Sequence, residues 1–231
     1  MNLPDLARYA LLAGVAATAE ANRRHYRMRT TWLPHLALNA AALLLPDLLR
    51  RALPSASQGQ GGLPSALAAT AREIACERPA YAAYAAPLAA GYMLSHPQFN
   101  IYKGAWGEMR LAGLGFDALP HAAAGFALSA TAMDAASALD RHLAPSAVAA
   151  GVAGWAARHR ALTALAGLAV VTALWELAEY RTHRYELAKR GDVSAINMQW
   201  SVEDTVGDVL ANLLGWLAAA LWRGRRRTAP Q

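Results

Sequence analysis

Apolar residues along this chain gather into runs separated by short basic segments. Ala161 to Tyr180 and Val202 to Trp222 each hold about 20 residues without Lys or Arg, the length that crosses a bilayer core. Ala118 to Leu139 and Ala80 to Leu94 are similar but richer in small residues, and Pro87 lies inside the second. Nearer the N-terminus, Tyr9 to Ala19 make a shorter apolar core, and Trp32 to Leu49 make another, broken by Pro34 and Pro46. The runs predict an all-α fold, a polytopic transmembrane helical bundle with about five or six spanning helices. Ala17-Thr18-Ala19 has the small-residue look of a signal-peptidase site. The segment before it is not basic, however, and four arginines follow the apolar core at once, which favours a retained first helix.

Punctuation between the runs sets the organisation. Residues 1–51 read as an N-terminal helical hairpin. Residues 52–64 are rich in Gly, Pro and Ser and read as a flexible linker. A membrane core follows over 65–222, opened by a short interfacial helix from Ser65 to Arg78, and 223–231 form a basic tail. Ser95 to Phe116 is polar and aromatic and predicts a loop or partly re-entrant segment. Pro145 to Ala157 is too short to span. Three long helices, over about 117–138, 160–180 and 201–222, therefore alternate in direction. Ser201 to Asp204 matches a capping box. Gly207, Ala211 and Gly215 recur at four-residue spacing, a stripe that lets another helix approach closely.

Composition supports a membrane setting. Hydrophobic residues are 55% and charged residues 16% of the 231-residue chain, against about 25% charged in a typical globular domain. A soluble alanine-rich bundle is the alternative, and the uninterrupted runs weigh against it. The lone Cys76 excludes a disulfide framework. The net charge of +6 does not point to nucleic acid, because the basic residues sit between the apolar runs, with no stripe of interleaved aromatics. That distribution serves topology and contact with anionic lipid heads. Arg223 to Arg227 argue for a cytoplasmic C-terminus, and Arg181 to Arg190 argue for the opposite orientation.

The candidate chemistry is acidic. Asp117 and His121 are four residues apart at the start of one long helix, hence on one face. Glu176 and Glu179 lie near the end of the next, with His183 four residues beyond. Asp204, Asp208 and Asn212 open the last on a single face. Alternating helix directions bring all three groups to one leaflet, so five carboxylates and an imidazole converge, with no Lys or Arg inside the apolar spans. Asp117 and Asp204 have capping as a plainer role; Glu176, Asp208 and Asn212 lie too deep for that. Clustered acids in a greasy setting must share a cation, hold protons or meet a cationic substrate. Loop residues Lys103, Arg110, Arg181 and Arg184 are placed to neutralise part of the charge. An oxygen-rich Asp/Glu/His set suits Mg, Mn, Ca, Fe or Zn, and Glu176, Asp208 and His121 are the first candidates to ligate such a divalent ion. Asp134 lies toward the other end of its helix and belongs to a different contact. The sequence has no HExxH, GxSxG, P-loop or zinc-spaced cysteine pair.

At these residues the chain resembles the VanZ-like and YjdF-like bacterial membrane proteins. Asp117/His121, then Glu176 with Glu179, then Asp204/Asp208/Asn212/Gly215 follow their plan over about 117–221. The resemblance implies a small multi-helix protein of the bacterial inner membrane. The longer N-terminal half departs from the compact VanZ-like proteins, so the site carries over and the glycopeptide-resistance phenotype does not. Three functions follow. One is a metal-dependent or acid/base enzyme acting on a lipid or envelope precursor. The others are a proton- or cation-coupled carrier, and a structural subunit docking a membrane-protein partner or a second copy of itself.

Overall fold

The computed structural model describes residues 3–53, 61–111 and 113–228. Two helices open it, α1 (Leu3–Tyr26) and α2 (Leu33–Ala52). Helix α3 (Leu63–Arg72) runs into a π turn over Glu73–Glu77, and α4 (Tyr81–Met93) follows. A short α5 (Gly104–Gly107) precedes an antiparallel pair of two-residue strands, β1 (Arg110–Leu111) and β2 (Leu114–Gly115). The remainder is α6 (Ala118–His142), α7 (Ala150–Arg158), α8 (Arg160–Arg190) and α9 (Val202–Thr228). The linker expected over 52–64 falls largely on 54–60, outside the described residues.

The bundle is α-helical, and four of its described helical stretches are long and apolar enough to cross a membrane: Arg29–Ala52, Ala118–His142, Arg160–Arg190 and Val202–Arg225. Their outward faces are greasy. Leu162, Val170, Val171, Leu174 and Leu177 of α8, and Val206, Leu210, Leu213, Leu214, Leu217 and Leu221 of α9, are all exposed, a surface that water does not tolerate at this extent. The Ala80–Leu94 run folds as the 13-residue α4. At 1.5 Å per residue it reaches about 20 Å, short of a bilayer core of about 30 Å. The nine residues of α7 are shorter still, as the alternating topology requires.

Helix α2 runs straight through Pro46. A proline leaves the carbonyl four residues back without its helical donor, and here the Tyr81 hydroxyl donates to Ala42 O at 2.6 Å. Arg8, 2% exposed, donates to the next carbonyl, Leu43 O, and pairs with Asp47 at 2.9 Å and Asp5 at 2.6 Å. Tertiary donors thus repair the helix that the proline would break.

Small residues make the core. Val15, Ala19, Leu43, Ala85, Ala89 and Tyr92 join α1, α2 and α4. Tyr84, Ala127, Ala130, Met133, Ala164 and Ala219 join α4, α6, α8 and α9. Helices α6 and α9 approach most closely. A Cβ on Gly215 would press on the backbone of Ala122, Gly125 and Phe126, and one on Gly125 would come within 2.7 Å of Asn212 O. The stripe expected to admit another helix therefore admits α6 of the same chain, and only Gly207 faces open space.

At the end of the bundle where α6 finishes, Glu73 of the π turn accepts from Arg78 at 2.7 Å, Arg141 at 2.7 Å and lies 3.0 Å from His142 Nε2. Burial works to raise the Glu73 carboxyl, but the bonds from Arg78, Arg141 and His142 outweigh it and hold the group below its ordinary value of 4.5. A carboxyl whose pKa falls on folding adds stability above its unfolded pKa and loses it as pH drops through the folded value. Thermal melting of the detergent-solubilised protein is therefore expected to be insensitive to this group above about pH 5 and to decline below it. Glu73→Gln should flatten that acid-side decline; an unchanged slope would show that Glu73 does not drive it.

Candidate functional site

Three helix ends build the acidic cluster. Asp117 stands at the N-terminal boundary of α6 and makes no capping hydrogen bond there, so its oxygens are left to the cluster. On α9, Ser201 caps the helix by accepting from the Asp204 backbone N–H at 3.1 Å, as the capping box predicts. That frees the Asp204 side chain, and Asp208 follows one turn deeper. From α8 come Glu176 and Glu179, one turn apart.

These five carboxylates fall into two triads that share Asp208. One is Asp117, Asp204 and Asp208, and the other is Glu176, Glu179 and Asp208, each offering one oxygen within 4.8 Å of the others. Asp208 is buried, and the other four are half-buried. His121 completes neither triad; its Nε2 lies 3.2 Å from Asp208 Oδ2, so it partners the shared carboxylate. Thr205 donates to Glu176 Oε2 at 2.6 Å, while Glu176 Oε1 is buried with no hydrogen-bond partner among the described residues. Asn212 lies deeper and donates to Thr172 Oγ1 of α8 at 3.2 Å.

Depth follows from helix geometry. Glu176 and Glu179 are about 24 and 28 Å along α8 from Arg160, in the half of the helix toward the α8–α9 connection. Helix α8 continues beyond them to Arg190. There the buried Glu186 accepts from Thr30 Oγ1 at 2.6 Å and from the backbone N–H groups of Asn197 and Met198. That overhang ties the α1–α2 turn and the α8–α9 connection to the same end of the bundle as the acids.

No Lys or Arg forms an ion pair with the five carboxylates among the described residues. Lys103 turns away to the carbonyls of Ser194 and Ile196, and Arg184 to the Tyr180 hydroxyl. Arg110 acts on Asp204 only through space and donates to Gly107 O. His183 bonds Met198 O, away from the cluster. The charge is thus largely uncompensated, in contrast to Asp134 at the opposite end, which pairs with Arg78 at 2.8 Å and with Arg223 and accepts from Tyr84.

Sequence reasoning did not single out Thr205 or Tyr102. Thr205 follows Asp204 directly and projects toward α8, a contact that only the folded pairing reveals. Tyr102, from the loop before α5, donates to Gly91 O at 2.9 Å. Burial pushes its phenol up, reinforced by the charges of Asp117, Glu179 and Asp208, so it stays a neutral donor beside the cluster.

The donor set tests well against a hard cation. Ca²⁺ takes oxygens at about 2.3–2.6 Å, so a single ion can bridge oxygens up to about 5 Å apart, whereas Mg²⁺ at about 2.0–2.1 Å needs them within about 4.2 Å. Three oxygens within 4.8 Å of one another come close to the span of the larger ion and need a small closing to reach its distances, and a greater closing for the smaller ion.

Greasy spans surrounding an acidic cluster at one end define a polytopic α-helical membrane protein. The profile of a family described as predicted membrane protein, DUF2238, matches residues 62–229, and the chain belongs to that family. No curated protein and no solved structure matches it.

Proposed function

We propose that this protein binds a hard divalent cation in the acidic cluster and uses the site for metal-dependent or acid/base chemistry on a lipid or envelope precursor. The observation that carries the reading is the pair of carboxylate triads sharing Asp208 without a Lys or Arg ion pair. A group of negative charges at membrane depth persists when a cation or protons offset it. A cluster toward one end of the spans supports a cation held at the level of headgroup phosphates and carbonyls of a lipid substrate. Asp208 is the shared ligand, with Asp117 and Asp204 on one side and Glu176 and Glu179 on the other. His121 Nε2, against Asp208, is set to orient that carboxylate and to hold or release a proton. Thr205 fixes one Glu176 oxygen and leaves the other for the ligand. The bound cation would supply Lewis-acid polarisation of a substrate oxygen.

The arrangement keeps to the VanZ-like and YjdF-like plan at Asp117/His121, Glu176, Asp208 and Asn212, which supports a setting in the bacterial inner membrane. Calcium or manganese binding to the detergent-purified chain, followed by calorimetry, tests the reading. Asp208→Asn should weaken binding by more than about 100-fold, the upper range for loss of an outer-shell partner, and His121→Gln by about 10–100-fold. A wild-type protein that takes up neither ion at millimolar concentration would overturn it.

The unpartnered Glu176 Oε1 favours a second reading, a proton- or cation-coupled carrier. It expects ion-dependent flux in proteoliposomes that Glu176→Gln abolishes. Its weakness is position, because transporter sites gather at the midplane.

A further inference from the structure

We propose that the cavity at the α1–α2 turn is a binding site for the phosphate of an anionic phospholipid headgroup. The cavity is a shallow, open depression of about 550 Å³ lined by the exposed Arg23, Arg24, Arg27 and Arg29 together with Met28 and Trp32. Glu20 occupies Arg23 and Arg24, each at 2.6 Å. Among the described residues Arg27 and Arg29 have no acidic partner. Four arginines against one carboxylate leave three positive charges uncompensated around one concave surface.

The backbone is arranged to present them. Arg27 has φ +57°, the only non-glycine among the described residues in the left-handed region, and its N–H closes α1 onto Arg23 O at 3.1 Å. Helices that end this way ordinarily use glycine or asparagine. An arginine at a position that disfavours it turns the chain between the last turn of α1 and Arg29, so that residues of both line one depression. Guanidinium groups offer the planar fork that matches phosphate oxygens. Trp32 adds the aromatic wall typical of the headgroup level, and Met28 an apolar one suited to glycerol and the first acyl carbons. The cavity lies where a candidate span begins, at Arg29, which selects a lipid phosphate over one free in solution.

Arg190 donates to Tyr26 O and Thr30 to Glu186, so the cavity sits at the acidic-cluster end of the bundle. The proposal stands independently of the cation reading.

The test is native mass spectrometry of the full chain in detergent, titrated separately with phosphatidylglycerol, phosphatidylcholine and inorganic phosphate. Wild type should retain phosphatidylglycerol in preference to phosphatidylcholine. Arg29→Gln should weaken that retention about fivefold, and Arg27→Gly with Arg29→Gln about 25-fold. Glycine relieves the strained position, so the double variant should melt no lower than wild type, which separates lost binding from lost folding. Arg51→Gln with Arg181→Gln, exposed positions outside the cavity, removes the same charge and should change nothing. Equal retention of the two lipids, or an equal loss in that control, would overturn the proposal. Inorganic phosphate displacing the lipid at the same concentration would overturn the assignment to a lipid.

Discussion

Asp134→Ala should cost about 3–5 kcal/mol of stability, because it leaves Arg223 without its counter-ion inside the bundle and Arg78 with Glu73 alone. Asp134 is 5% exposed. It accepts from Arg78, which follows the π turn, from Tyr84 of α4, and from Arg223 of α9. One carboxylate on α6 thus fastens three other segments at the end of the bundle opposite the acidic cluster. On the scale of a chain this size the loss corresponds to a melting temperature lower by roughly 6–20 °C, measurable by differential scanning fluorimetry in detergent. Tyr84→Phe removes a hydroxyl that donates to Asp134 and accepts from Arg223 but leaves their ion pair in place, and should cost only about 1–2 kcal/mol. If Asp134→Ala melts like wild type, the network is peripheral to stability.

Gly215→Leu should be at least as damaging. The atoms that its Cβ would meet are backbone atoms of Ala122, Gly125 and Phe126, the last at 2.6 Å, and backbone does not rotate aside as a side chain does. Overpacking a core ordinarily costs about 1–3 kcal/mol; here the remedy is separation of α6 from α9, so at least about 3 kcal/mol is expected. Since α6 carries Asp117 and His121 while α9 carries Asp204 and Asp208, cation binding should fail together with folding. Gly207 has open space around it, so Gly207→Leu is the matched control and should leave both intact. Equal damage from the two substitutions would instead point to a partner helix seated at Gly207.

These contrasts show what could be read from sequence. The i, i+4 spacings at Asp117/His121 and Asp204/Asp208, and the i, i+3 spacing at Glu176/Glu179, are local facts. With short connections and alternating helix directions they suffice to bring the acids to one end. Neighbours supplied by distant segments could not be read. Pro46 looks like a break until Tyr81 takes the Ala42 carbonyl it strands. The glycine stripe looks like a docking face until α6 fills it. Arg223 looks like the start of a basic tail, but α9 continues through it to Thr228, and its charge is committed to Asp134. In each case the sequence displays the need, and the group that meets it lies at least 30 residues away.

The Gly125–Gly215 contact also divides the acidic cluster mechanically. Asp117, Asp204 and Asp208 ride on two helices whose main chains touch, so their spacing is stiff. Glu176 and Glu179 ride on α8, joined to α9 near the cluster through side-chain bonds of Thr205 and Asn212, and that wall is the more compliant. For the cation binding proposed above, one fixed jaw and one yielding jaw would let ions of differing radius be gripped without rebuilding the site, with the preference among them set by how far the α8 side must travel.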